Sequence, residues 1–189
     1  MKKLLVVNAC VNRETSRTQR LCHAWMDLLC QQQPYEIEEV ILEEEGLHAL
    51  DTGSLAYRNR LLQQGKTEHN MFRQARLLRK ADEIVIAAPY WDLSFPASLK
   101  CYMEAVSVVG LTFHYLPDGR PEGLCRAKRL TYITTAGGYI GQRNFGYEYA
   151  KAMADLFGID ETKEIHAEGL DIVGADVEQI MQQAEANMH

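Results

Sequence analysis

Short apolar runs alternate along the chain with stretches in which apolar residues recur every three or four positions. Residues 3–8, KLLVVN, are the first such run and predict a buried parallel strand. From Ser16 to Gln33 the apolar positions Leu21, Trp25, Leu28 and Leu29 fall at helical spacing, and Pro34 lies just past the end. Residues 35–42, YEIEEVIL, alternate polar and apolar as a half-exposed strand does. The stretch 43–67 is acidic and then mixed, which predicts an excursion with a short helix near Leu55–Gln63. A further helix is expected over 68–80, with Phe72, Ala75, Leu77 and Leu78 as its apolar side.

The second half repeats the scheme. EIVIAAP at 83–89 is apolar almost throughout and predicts a central strand covered on both faces. Pro96 opens a helix expected to run to about Val109. LTFHY, 111–115, followed by PDGRPEG, reads as an extended segment and a turn. RLTYITTAGG, 129–138, is a strand ending in two glycines. A helix over Tyr147–Phe157 stops at Gly158, a short strand covers 162–167, and Asp176–Asn187 forms a last helix. Five strands alternating with helices predict an α/β fold: one parallel sheet with helices on both faces, residues 1–189 forming a single domain.

Composition narrows the function classes. The net charge is −6 with acids and bases interspersed, which argues against nucleic acid as a partner. No apolar stretch approaches the roughly 20 residues of a membrane span, and the opening MKKLLVVNAC is too short in its apolar part for a signal peptide. The five cysteines at 10, 22, 30, 101 and 125 form no CxxC pair, so reduced thiols and a cytoplasmic location are expected. The histidines at 23, 48, 69, 114, 166 and 189 show no HExxH spacing, so no metal site is expected.

In open parallel sheets, ligands bind outside the carboxyl ends of the strands where strand order reverses. Three loops follow strand ends here. The first, ACVNRETSRT, lacks both GxGxxG and GxxxxGK[ST]. It puts Ser16, Arg17 and Thr18 at a helix start, where they form an anion site or where Thr15 or Ser16 simply caps the helix. The second, PYWDL at 89–93, offers Tyr90 and Trp91, which either cover the core edge or face a flat ring. The third, TTAGGY at 134–139, is either an ordinary turn or a place of close backbone approach.

The run IVIAAPYWDLSFPASLKCYMEAV, followed by GLTFHY, PEGL and ITTAGG, resembles the FMN-dependent NADH-azoreductase and NAD(P)H:quinone oxidoreductase family. The resemblance covers about residues 1–170. It implies a flavodoxin-like doubly wound five-stranded parallel sheet, FMN as cofactor, and NADH or NADPH as electron donor. It places Cys10, Ser16, Arg17 and Thr18 in a phosphate loop. Pro89, Tyr90, Trp91, Asp92 and Leu93 would lie beneath and beside the flavin ring, with a backbone N–H near Asp92. Thr135, Gly137 and Gly138 would lie near the other end of the ring. Tyr115 would stand near the substrate pocket beside Trp91, often supplied across a homodimer interface.

Three positions depart from the family. Cys10 stands where a hydroxyl is usual, Asp92 where Asn is usual, and Leu156 near an aromatic of some azoreductases. His114, beside Tyr115, either enters the pocket or is structural. The implied activity is reduction of quinones, with azo or nitro aromatics as further acceptors, in a ping-pong reaction without side-chain acid–base catalysis. A flavodoxin-like electron carrier and a non-catalytic flavin-binding regulator are the alternatives.

Overall fold

The structure, a computed structural model, describes residues 1–188 and so does not cover His189, the last of the six histidines. Its strands are β1 (Lys2–Asn8), β2 (Tyr35–Ile41), β3 (Glu83–Ala87), β4 (Phe113–Tyr115), β5 (Pro121–Gly123), β6 (Arg129–Thr135) and β7 (Glu161–Ala167). The helices are α1 (Arg17–Gln32), α2 (Thr52–Gln63), α3 (Arg73–Lys80), α4 (Ala97–Val106), α5 (Phe145–Phe157) and α6 (Val177–Ala186). Five strands form one parallel sheet in the order β2-β1-β3-β6-β7. With the β4–β5 hairpin set aside, that is the doubly wound order expected from the resemblance. Among the described residues, no helix is long and apolar enough to cross a membrane.

The period of two along each central strand explains the two-sided core. Leu5, Val7, Ile84, Ile86, Leu130 and Tyr132 pack on one face with Phe72, Leu78, Leu99, Tyr102, Ala150 and Phe157. Leu4, Val6, Val85, Ala87 and Ile133 pack on the other with Leu21, Trp25 and Leu29 of α1 and Met181 of α6. Each large buried side chain contributes about 1.5–3 kcal/mol of transfer free energy. β2 is an edge strand, and Glu36, Glu38 and Glu39 are exposed along it, which discourages edge-to-edge pairing.

Local chemistry sets the helix ends. The Ser16 hydroxyl accepts from Gln19 N–H and caps α1, while Asp51 and Ser54 form a reciprocal capping box on α2. Gly158 stops α5 with φ 77°. α3 is shorter than the expected 68–80, because a 3-10 turn at Asn70–Phe72 precedes it. α4 ends at Val106 rather than at Val109. The Thr112 hydroxyl donates to the Val106 carbonyl at 2.7 Å and accepts from Val108 N–H at 3.1 Å, which folds the chain back toward β4. The segment expected to be extended becomes a hairpin, β4 pairing antiparallel with β5.

Candidate functional site: three loops at the carboxyl edge of the sheet

The strand order reverses between β1 and β3, because β2 lies beyond β1 on one side and β6 beyond β3 on the other. The loops after β1 and β3 therefore open on the same crevice, and the loop after β6 borders it. They are joined by hydrogen bonds. Ala9 N–H donates to the Ala87 carbonyl at 2.8 Å and Tyr90 N–H to the Thr135 carbonyl at 3.0 Å.

The first loop is built inward from Asn8. Its side-chain oxygen accepts from Cys10 N–H at 3.0 Å, and its amide donates to Glu39 at 2.9 Å. Cys10 is buried, and burial pushes its thiol up, against a hydrogen bond to Ser16 that lowers it. It therefore stays a neutral thiol at physiological pH. The first N–H groups of a helix lack partners within it. Ser16 takes that of Gln19, and those of Arg17 and Thr18 remain for an anion, favoured there by the helix dipole. The Arg17 guanidinium meets Asp171 at 2.8 Å. The Thr18 side chain turns inward: it is buried, and its hydroxyl shares a 2.6 Å hydrogen bond with that of Thr135. Of the two hydroxyls expected at a phosphate, only that of Ser16 remains partly exposed.

The second loop holds the least usual backbone among the described residues. Trp91 and Ser94 exchange hydrogen bonds across a tight turn, and Asp92 and Leu93 between them have φ 50° and 65°. No other non-glycine residue described here has positive φ. Two successive left-handed residues match a type I′ turn, which ordinarily takes Asn-Gly. Leu93 in this position costs about 1–2 kcal/mol. The turn uses the N–H groups of Trp91 and Ser94 internally and leaves those of Asp92 and Leu93 to a ligand. Trp91 and Leu93 are 48% and 42% exposed. Pro89 and Tyr90 are half-buried, and the Tyr90 hydroxyl donates to the Arg143 carbonyl at 2.8 Å, which ties the turn to the 140–146 loop.

The third loop is braced by a fourth, after β7. Gly169 N–H donates to the Gly138 carbonyl and Asp171 N–H to that of Gly137, both at 2.9 Å. A Cβ on Gly137 would lie 2.2 Å from the Asp171 carboxylate, so this glycine makes room for Asp171. Gly138 has open space where a Cβ would be. Exposed apolar side chains ring the crevice loops: Val11, Trp91, Leu93, Tyr139, Phe145 and Val173.

The twelve positions expected at the cofactor thus lie on these three loops or on the helix and strand ends that flank them. Tyr115 does not lie on them. It is 60% exposed on the β4–β5 hairpin, edge-to-face with Phe113. His114 faces Glu122 on β5 with 2.7 Å between them, a structural pair. Leu156 is half-buried and packs on the core. Tyr139 closes the third loop and Phe145 lies in the 140–146 segment, IGQRNFG, whose sequence points to a role in specificity, whereas Asp171 is not among the expected site residues. The position of 168–175 after a strand end was the available signal for Asp171.

Comparison with known proteins fits this architecture. The Flavodoxin_2 family model, described as flavodoxin-like fold, matches residues 2–189. A Clostridium acetobutylicum protein named FMN-dependent NADH:quinone oxidoreductase 2 is 35% identical over 96% of this chain and 93% of its own. A Lachnoclostridium phytofermentans protein named FMN-dependent NADH:quinone oxidoreductase is 33% identical over 94% and 91%. Among solved structures, an azoreductase from Bacillus anthracis superposes with a TM-score of 0.87 at 22% identity, covering 100% of this chain and 97% of its own. An FMN-dependent NADH-azoreductase from the same species, in complex with FMN, gives 0.84 at 22% identity, covering 100% and 96%. At that identity the structures speak for the fold alone. Matched along nearly its whole length by the family model and by relatives a third identical, the chain belongs to the Flavodoxin_2 family of flavodoxin-like fold.

Proposed function

We propose that this protein is an FMN-dependent NAD(P)H oxidoreductase that reduces quinones, with azo or nitro aromatics as further acceptors. The observation that carries the reading is the Trp91–Ser94 turn. Two non-glycine residues are held in left-handed backbone directly after the central strand, beside a helix N-terminus and an aromatic rim. Such strain persists where surrounding structure holds it for a site's geometry. The names of the relatives supply the matching chemistry.

The residues present fit FMN. The Arg17 and Thr18 N–H groups and the Ser16 hydroxyl would hold one phosphate, and Arg17 would share its charge between that phosphate and Asp171. Cys10 lines this loop as a neutral thiol. Tyr90, Trp91 and Leu93 would flank the ring, with the Asp92 and Leu93 N–H groups offered to its polar edge. Thr135 and Gly137 would brace the loop on the other side, and Gly138, with open space above it, would admit close approach. No second nucleotide-binding segment is evident, so FMN is preferred over FAD. Bound there, FMN would supply two-electron transfer between a nicotinamide and an acceptor.

The chain's own residues position and shield. Trp91 and Leu93 exclude water from one side of the crevice, and Tyr90 keeps the turn rigid through Arg143. Asp92 brings negative charge to the loop. A flat nicotinamide and a flat quinone would use the same exposed face in turn. Two copies would complete the pocket, each lending Tyr115 to the other, and the reduced cysteines fit a cytoplasmic location.

Initial rates of NADH oxidation at several fixed quinone concentrations test the reading. Parallel lines are expected for a shared face. Intersecting lines would require both substrates to be bound together and would overturn the single-face arrangement.

A further inference from the structure

Where α3 ends and the chain returns from the hairpin toward β6, the surface holds a cavity of about 300 Å³. Arg76, Arg79 and Lys80 of α3 and Arg126 of the returning segment line it, with Leu111 and Leu124 as its apolar part. Both α3 and that segment lead into the amino ends of strands, so the cavity lies at the opposite edge of the sheet from the three crevice loops.

The four cations have one acid, Glu68, among them in the lining. Its side chain is 85% exposed and stands 3.5 Å from Arg76 Nε. Asp82, behind them, pairs with Arg126 at 2.7 Å. Arg79 and Lys80 are exposed and form no ion pair and no side-chain hydrogen bond among the described residues. Lys80 also borders Glu36 and Glu38, but those carboxylates pair with Lys3 and Arg73. Arg76 stands three and four positions before Arg79 and Lys80, a spacing at which like charges repel on a helix. Cations in the last turn complement the helix dipole, which accounts for Arg79 and Lys80 singly. It accounts neither for Arg76 a turn earlier nor for Arg126, brought in from another segment.

Backbone oxygens that would repel an anion here are already taken. Those of Thr67 and His69 accept from Arg76 Nη1 at 2.6 and 2.9 Å. Those of Leu77 and Arg79 accept from Ala81 N–H and Arg126 N–H, both at 3.1 Å. Arginine and lysine side chains only donate. The cavity thus offers donors with an excess of positive charge, which suits a ligand that only accepts and carries more than one negative charge. From Arg76 to Lys80 the helix rises about 6 Å, a row longer than a single phosphate group. We propose that this cavity binds a diphosphate group, free or at the end of a nucleotide. Arg79 and Lys80 supply its main contacts, with the unspent Nη2 of Arg76 and the terminal nitrogens of Arg126 beside them. The assignment does not depend on the proposed function.

Calorimetric titration of the FMN-loaded protein with inorganic diphosphate tests it, with orthophosphate at matched ionic strength as the single-phosphate comparison. One saturable site per chain is expected, about tenfold tighter than for orthophosphate and weaker as sodium chloride is raised. Arg79→Gln and Lys80→Gln should each weaken it, together by about tenfold or more, while FMN content holds. Lys151→Gln removes the same charge outside the lining and should leave the affinity as it is. ADP binding that Arg79→Gln also weakens would assign the site to the terminal diphosphate of a nucleotide, and diphosphate binding without it would assign the site to the free anion. Absence of saturable diphosphate binding to the unaltered protein would overturn the proposal. So would equal affinity for diphosphate and orthophosphate, affinity unchanged by both lining substitutions, or an equal loss in Lys151→Gln.

Discussion

Asp92 and Leu93 concentrate the strain of the molecule at one turn, and each carries a separate consequence. Glycine adopts positive φ without penalty, and the exposed Leu93 side chain gives up little packing. Leu93→Gly should therefore raise apoprotein stability by roughly 0.5–1 kcal/mol in urea denaturation while lowering quinone reduction, because the turn loses its rigidity. An unchanged activity would separate the strain from the function. The Asp92 carboxylate places negative charge beside the proposed flavin. Asp92→Asn should raise the midpoint potential of the holoprotein by about 20 mV, equivalent to roughly 1 kcal/mol over two electrons. A potential that stays put would remove Asp92 from the ring's surroundings. The hydroxyls of the first loop divide in the same way. Thr18→Val orphans the Thr135 hydroxyl and should cost about 1–2 kcal/mol of apoprotein stability with FMN affinity held. Ser16→Ala should lower both, since Ser16 caps α1 and borders the phosphate position. The inward turn of Thr18 could not be read in the sequence, because its partner lies 117 residues away.

Elements with a clear period were legible, and those defined by distant contacts were not. The apolar runs of β1, β3 and β6 and the helical face of α1 all stand where periodicity placed them, since each buries its pattern in one of two cores. The end of α4 was not legible, because the Thr112 hydroxyl that terminates it arrives from beyond the helix. The β4–β5 hairpin was missed as a pair, because Pro121 and Gly123 are poor strand formers and β5 is only three residues long. What holds that hairpin is a backbone contact. A Cβ on Gly123 would lie 2.0 Å from the Gly158 nitrogen, and Cys125 N–H donates to the Phe157 carbonyl at 3.2 Å. Backbone cannot yield as a flexible side chain can, so Gly123→Ala should cost about 3 kcal/mol in urea denaturation. Because the hairpin carries Tyr115, the same variant should lose quinone reduction more than FMN. A stable, fully active Gly123→Ala protein would show that the hairpin does not depend on this contact. The three crevice loops were legible because each follows a strand end. Asp171 also follows a strand end, but its role was not legible, because it depends on the space left by Gly137.

At the scale of the whole molecule, the proposed arrangement completes the crevice with the hairpin tyrosine of a second copy. Val109 and Tyr115, 51% and 60% exposed, are apolar surface on and beside the hairpin. Light scattering of the holoprotein at micromolar concentration should give twice 21.5 kDa, and a mass of 21.5 kDa would count against shared active sites. Cofactor released by heat should chromatograph as FMN, and FAD as the main species would refute the single-phosphate reading of the first loop. The most direct test of the central claim is anaerobic reduction followed optically. NADH or NADPH added to the FMN-loaded protein should bleach the flavin absorbance, and a quinone added next should restore it. If neither nicotinamide bleaches the bound flavin, the protein is not an NAD(P)H-dependent oxidoreductase.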